Sequence, residues 1–289
     1  MRLTWLGWAG AELEADGATV VVDPLDDAGA VFAPLGDRAA GTPLPRVVPP
    51  GAGLAVAGLL THLHRDHADA RALAAALAPG APVLEPPAGG GDAAEELGLT
   101  QAEHELSRAG LDRRRLAPWE SASAGPFTLT ALPAADGIGD PQVAWLVEAD
   151  GVRVLHLGDT MFHGYWWRMR RRHGPFDAVL VPVNGAVVGF PHRRPASPLP
   201  AALDPDQAAL AASILDARLA IPIHDEGYEI DGVYEPVEGA AERFAAVAAE
   251  SGVRVRILEP GETMEVEARE PELGGGAALP VAPGADGGL

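Results

Sequence analysis

The sequence predicts an α/β fold, and three observations carry that expectation. Apolar runs of strand length, such as residues 54–60 and 219–223, alternate with Ala/Leu-rich runs of helix length, such as 68–78. Two Asp-Gly turns, Asp16-Gly17 and Asp150-Gly151, each join a pair of short apolar runs, as hairpins do. Between the strand at 54–60 and the helix at 68–78 lies Thr61-His62-Leu63-His64-Arg65-Asp66-His67. It holds three of the nine histidines on a strand-to-helix turn, where α/β proteins put their chemistry.

In order along the chain, residues 3–23 read as strands folded at Asp16-Gly17 and ending at Asp23-Pro24. The Pro/Gly/Ala-rich stretch 24–53 reads as a long loop, a length often reserved for functional covers. After the histidine cluster and its helix, 82–84 reads as a short strand and 86–91 as a loop. Residues 92–117 read as a broken helix, and 127–132 alternate as a strand. Residues 143–149 and 152–157 form the second Asp-Gly hairpin, ending at Gly158-Asp159-Thr160. Glu14-Ala15-Asp16-Gly17 and Glu148-Ala149-Asp150-Gly151 match residue for residue, which suggests two related halves, each starting a sheet. An Arg-rich segment at 165–173, a strand at 178–183 and another Pro/Gly-rich loop at 184–203 follow. Asp204-Pro205 then opens a helix to about 217, with Asp as N-cap and Pro in the first turn. A strand at 219–223 ends at His224, and a helix at 237–250 and a strand at 253–258 close the fold. Residues 268–289 are expected to be a disordered tail after a single domain of residues 1–267.

Composition narrows the function. Nearly half of the 289 residues are hydrophobic (47%), which fits a packed core rather than a disordered chain. With no cysteine, any metal site must use His, Asp or Glu. The net charge of −20 disfavours nucleic acid as a partner. No apolar run approaches the length of a membrane span and residues 1–22 lack a sustained apolar core, so a cytoplasmic protein is expected. Oligomeric state is left open.

His62 and His64 are two apart and point the same way in extended backbone, while Asp66 and His67 follow the turn and face a second point. Imidazole and carboxylate together suit zinc, manganese or iron. Asp159 and His224 also end predicted strands, so they converge on the same sheet edge and complete a set able to hold two divalent ions.

Thr61 to His67, Gly158-Asp159-Thr160, Ile221-Pro222-Ile223-His224, Trp5-Leu6-Gly7 and Val22-Asp23-Pro24 together resemble the metallo-β-lactamase superfamily. Pro182-Val183-Asn184-Gly185 adds a likeness to its ascorbate-6-phosphate lactonase branch. The resemblance covers residues 1–267. It implies an αββα sandwich, two mixed β-sheets with helices on the outer faces, and hydrolysis by a metal-bound hydroxide at a dinuclear centre. It further implies that His62 and His64 bind metal one, that Asp66, His67 and His224 bind metal two, and that Asp159 bridges. Asp66 or Asp159 would orient the nucleophile. The sequence departs from the family at Asp136, where a histidine is usual, and at Trp8, where a histidine is common. Asp136 either binds metal one through oxygen, shifting preference from zinc toward manganese or iron, or binds nothing. Trp8 either walls the site or fills the core.

Asn184, His163 and Tyr228 are expected near the mouth as substrate contacts. Arg193 and Arg194, with the cluster Arg168, Arg170, Arg171 and Arg172, would form a local positive patch for a small anionic ester, lactone or phosphoester. Two other readings stand beside the hydrolase: a mononuclear non-haem iron oxygenase on the same fold, and a metal-binding protein without catalysis.

Overall fold

The computed structural model describes residues 1–32, 43–89, 97–190, 194–225 and 228–269. The first half opens with β1 (Arg2–Gly7), β2 (Gly10–Ala15) and β3 (Ala18–Val22), an antiparallel meander. Asp16 and Gly17 turn β2 into β3 with φ of 49° and 74°, the left-handed pair that a two-residue hairpin needs. A one-turn helix, α1 (Ala28–Phe32), then interrupts the stretch expected to be loop. β4 (Ala55–Leu59), α2 (Ala70–Ala76) and β5 (Pro82–Glu85) follow. Asp69 caps α2 by accepting the N–H groups of Arg71 and Ala72, so the helix starts two residues later than composition suggested.

The broken helix expected over 92–117 resolves into α3 (Leu97–Arg108) and then β6 (Asp112–Arg115). The sequence Asp-Arg-Arg-Arg of β6 has no apolar pattern, yet it is a strand because Glu85, buried in β5, draws it in. Arg113 grips Glu85 at 2.7 and 3.0 Å, and Arg115 approaches it at 3.3 Å.

The second half repeats the plan. β7 (Ser121–Ala124), β8 (Phe127–Pro133), β9 (Val143–Ala149) and β10 (Val152–His156) run antiparallel, with Asp150 and Gly151 again at positive φ, 53° and 76°. Then come α4 (Trp166–His173), β11 (Ala178–Pro182), β12 (Val187–Val188), α5 (Pro205–Ile214), β13 (Leu219–Ile223), β14 (Tyr234–Glu235), α6 (Ala240–Glu250), β15 (Arg254–Val255) and β16 (Thr263–Glu265). α5 carries the expected Asp204 cap, completed by Gln207 into a capping box. The short strands β7, β12, β14 and β16 lacked any apolar run that could announce them. The tail from 270 onward lies outside the described residues.

Two seven-stranded sheets result, ordered β16-β1-β2-β3-β4-β5-β6 and β15-β13-β11-β10-β9-β8-β7. In each, an antiparallel meander gives way to three parallel strands: β4, β5 and β6 in one, β11, β13 and β15 in the other. The two halves suggested by the paired Asp-Gly hairpins are therefore equivalent nearly strand for strand.

Alternation within strands sets the layers. In β9, Val143, Trp145 and Val147 face the other sheet and pack with Leu3, Leu13, Val20 and Leu59. Ala144 and Leu146 face outward, against Trp166, Leu215 and Phe244 of the helical layer. Val21, Ala55 and Val83 face the opposite helical layer, with Leu73, Ala102 and Leu106. The fold is the αββα sandwich. Among the described residues, no helix is long and apolar enough to cross a membrane.

Candidate metal centre

The ends of β1, β3, β4, β8, β10, β11 and β13 meet at one edge of the sandwich. Trp8, Asp23, the cluster Thr61 to His67, Asp136, Asp159, Asn184 and His224 follow those strands and converge there. Three of these turns place a bulky or charged residue at positive φ: Trp8, Asp23 and His224 have φ of 50°, 43° and 58°. The His224 N–H donates to the Trp8 carbonyl at 3.1 Å, which joins the two sheets beside the cluster.

Three groups of ligand atoms form, each closed within 4.8 Å: His62, His64 and Asp136; His62, His67 and Asp159; and Asp66, His67 and His224. The last triangle is fully resolved. His67 Nε2 and His224 Nε2 lie 3.1 Å apart, and Asp66 Oδ2 lies 3.6 and 3.7 Å from them. A divalent ion with bonds of about 2.1 Å holds adjacent ligand atoms roughly 3.0–3.4 Å apart, so the triangle has close to the right size.

Each imidazole is held from outside at one ring nitrogen. Thr61 Oγ1 lies 3.0 Å from His62 Nδ1, and Asp140 Oδ2 lies 2.8 Å from His64 Nε2. Asp23 Oδ2 lies 2.8 Å from His67 Nδ1, and Asn184 Nδ2 lies 3.0 Å from His224 Nδ1. In the first three rings the other nitrogen is thereby left for the interior of the cluster, the arrangement found where histidines ligate metals, whereas the Asn184 amide N–H donates to His224 Nδ1. His62 Nε2 and Asp159 Oδ1 are buried there without a hydrogen-bond partner. Unpaired polar atoms of that kind are costly unless something ligates them.

The charges agree. Burial and the neighbouring His67 push the His62 imidazole well below its ordinary pKa, and burial does the same for His224, so both are neutral donors. Burial also opposes charge on His67, but Asp66, Asp23 and Asp159 outweigh it and hold that ring up at about 9. Burial, with Asp66 and Asp136 close by, lifts Asp159 to about 7. Carboxylates that hold a proton on His67 in this way would offer the same place to a metal cation. The donor set thus fits divalent metal, and Asp136 groups with His62 and His64.

The remaining expected residues fall differently. Trp8 serves both roles weighed for it: it is buried, and its Nε1 donates to Asp66 Oδ2 at 2.9 Å. Asn184 holds His224 and the Tyr234 hydroxyl rather than lining an open mouth. Tyr228 is buried against Phe32, with ring centroids 4.4 Å apart, and Phe32 meets the edge of Trp8. Its hydroxyl has no partner among the described residues. His163 stacks on Trp166 at 3.8 Å and is absent from the ligand groups. Arg168 and Arg172 lie over Trp119, and Arg170 pairs with Asp216, which makes that cluster a helix face engaged with its neighbours. Arg194 is exposed, and Arg193 lies outside the described residues. Asp23 and Asp140 were not expected at the site. Asp23-Pro24 at a strand end was a visible signal, and Asp140 had none. A cavity of about 400 Å³ opens beside Asp136, lined also by Pro87, Pro118, Ala135, Asp140 and Gln142, among others.

Fold and site together define a protein of the metallo-β-lactamase type, and comparison agrees. Residues 18–224 match the family model of the beta-lactamase superfamily domain, and the chain belongs to that superfamily. It is 26% identical to a UPF0173 metal-dependent hydrolase of Methanopyrus kandleri over 92% of this chain and all of that protein. Against relatives of the same name from two Thermococcus species and Opitutus terrae, the chain spans about half of their length. Among solved structures, an isothiocyanate hydrolase from Delia radicum gut bacteria superposes with a TM-score of 0.65 at 19% identity, covering 93% of this chain and 100% of that one. CmlA, a diiron beta-hydroxylase from Streptomyces venezuelae, superposes at 0.67 and 17% identity, covering 91% of this chain and 53% of that one. Both likenesses concern the fold. The comparisons do not single out the ascorbate-6-phosphate lactonase branch.

Proposed function

We propose that the protein is a metal-dependent hydrolase acting on a small ester, lactone or phosphoester. The observation that carries this reading is the convergence of three possible ligand groups that share His62 and His67, with His62 Nε2 and Asp159 Oδ1 buried there without a hydrogen-bond partner. His62, His64 and Asp136 would hold one ion; Asp66, His67 and His224 would hold the other; Asp159 would join them. Zinc and manganese suit these donors, and three carboxylates make iron suitable as well. Ions bound there would lower the pKa of a bound water and neutralise charge on the substrate oxygen.

The chain's own groups supply the rest. Asp66 and Asp159 orient the attacking water and take up its proton at a carboxylate oxygen. Trp8 and Asp23 hold Asp66 and His67 in place from behind. The cavity beside Asp136 gives room for the scissile group. Arg193 and Arg194, which the sequence puts in the loop after Asn184, would take an anionic substituent. The substrate in this reading is a small molecule, and the net charge of −20 weighs against a nucleic-acid partner.

Elemental analysis of protein purified without chelator, followed by an ester and phosphoester panel, tests the reading. About two ions per chain and metal-dependent turnover are expected, with both lost in His67→Ala. Full activity in His67→Ala would overturn it. The Arg193→Ala, Arg194→Ala double variant should lose turnover of a charged substrate and keep that of its neutral analogue, and equal effects on both would remove the anionic class. The carboxylate-rich donor set also fits oxygen chemistry, and CmlA has the same fold. Oxygen consumption by the iron-loaded protein, with no hydrolysis of any panel member, would favour that second reading.

A further inference from the structure

The segment Asp136-Gly137-Ile138-Gly139-Asp140 is a closed clip. Asp136 Oδ2 accepts the N–H of Ile138 at 2.8 Å and of Asp140 at 2.9 Å, and the Asp136 carbonyl accepts the Gly139 N–H at 3.2 Å. Each glycine has a reason to be there. A Cβ on Gly137 would sit 2.1 Å from the Ala201 carbonyl oxygen, and Gly139 has a φ of 98°, a region that side chains disfavour. Asp136 bridges to Thr160 in an isolated pair, which moors the clip beside Asp159.

The clip ends at Asp140, whose carboxylate reaches back across 76 residues of sequence to His64 Nε2 at 2.8 Å. Both partners are mostly shielded from solvent, with side-chain exposures of 16% and 10%. A triad counts only the atoms that meet the ion, and this second carboxylate acts behind one of them. It belongs to the same short segment that puts an aspartate where the superfamily usually has a histidine.

We infer that Asp140 is a positioning residue for metal one: it fixes the orientation and tautomer of His64, so that Nε2–H donates to Asp140 and Nδ1 is left to ligate. The five-residue clip then delivers two carboxylates at once, Asp136 toward the ion and Asp140 onto the back of a ligand. This rests on the metal-dependent reading above and deepens it. A carboxylate behind a ligating imidazole raises its basicity and prevents ring rotation, and losing such a partner weakens metal binding about 10–100-fold. Asp140 stands to His64 as Asp23 stands to His67.

The test titrates metal-free protein with zinc alone and with manganese alone against a competing chelator, in wild type, Asp140→Ala, Asp140→Asn, His64→Ala and the Asp140→Ala, His64→Ala pair. Asp140→Ala should weaken one of the two ions about 10–100-fold and leave the other unchanged. Asp140→Asn, whose amide oxygen still accepts the imidazole N–H, should fall between wild type and Ala. The Asp140→Ala effect should vanish in the His64→Ala background, because a residue acting only through His64 has nothing left to act on. The cobalt-loaded visible spectrum should change in Asp140→Ala and recover toward wild type in Asp140→Asn. Wild-type affinity for both ions in Asp140→Ala, or an equal further loss on the His64→Ala background, overturns the assignment. Wild-type protein that binds neither ion overturns the hydrolase reading itself and takes the role of Asp140 with it, a result distinct from both. If Asp140→Ala fails to fold, Asp140→Asn decides: unaltered affinity and spectrum in that variant overturn the charge-assisted role.

Discussion

One fully buried carboxylate, Asp23, gathers three hydrogen bonds: from the Thr61 N–H at 2.8 Å, from the Thr61 hydroxyl at 2.5 Å and from His67 Nδ1 at 2.8 Å. It therefore sets the start of the histidine cluster and one of its rings together. Removing it strands buried donors, at about 1–3 kcal/mol for each. Asp23→Ala is expected to lose roughly 3 kcal/mol of stability by the same reckoning, even without metal. Denaturant unfolding of the metal-free protein measures this, and wild-type stability would mean that Asp23 is dispensable. Asp136 separates two roles that its geometry combines. Asp136→Asn keeps an oxygen for the Ile138 and Asp140 N–H groups but removes the charge offered to the ion. It should melt within a few degrees of wild type and bind metal one more weakly. Unchanged affinity in Asp136→Asn would make Asp136 a turn residue alone. Asp136→His, by contrast, should open the clip, since an imidazole cannot accept the Ile138 and Asp140 N–H groups as the carboxylate does.

Elements were legible in proportion to the burial of both their faces. β9, β10, β11 and β13 are buried on both sides, so their apolar runs declared them, and their ends announced Asp159 and His224. β6 was read as helix because its stabilising partner, Glu85, lies 28 residues away from Arg113 and in another element. Asp140 was invisible for the same physical cause: its partner is distant in sequence, and a lone aspartate in a glycine-rich loop reads as an ordinary turn. The histidine cluster was legible because four ligand positions fall within six residues. Turn elements show what they hold when filled. A Cβ on Gly158 would meet Thr61 Cβ at 2.7 Å and Oγ1 at 2.9 Å, and Gly158 sits at φ 63°. Gly158→Ala should push Thr61 off Asp23, lower stability by about 1–3 kcal/mol, and weaken metal binding with it. A variant with normal stability and metal content would show that the two turns are not in register.

At the scale of the whole molecule, the two halves are joined by their chemistry as well as by their core. Every ligand group draws on both sheets. Asp66 and His67 follow β4 of one sheet and His224 follows β13 of the other, while His62 and His64 meet Asp136 and Asp159 from β8 and β10. Without a cation, Asp159 is buried beside Asp66 and Asp136 at the seam between the sheets, which lifts it to about 7. A bound ion reverses the sign at that seam. Ligand binding to the folded state alone stabilises by RT ln(1 + [L]/Kd), about 2.7 kcal/mol at a hundredfold excess over Kd. For a domain of this size each kcal/mol moves the melting temperature by roughly 2–4 °C. Removal of metal with chelator, followed by dialysis, should therefore lower Tm by roughly 5–10 °C, and zinc or manganese should restore it. His224→Ala, which opens the metal-two triangle on one sheet only, should start with a lower Tm and recover less on adding metal. Differential scanning calorimetry before and after chelation measures both. An unchanged Tm on chelation, in protein shown by elemental analysis to have lost its metal, would mean that the ions do not tie the sheets together.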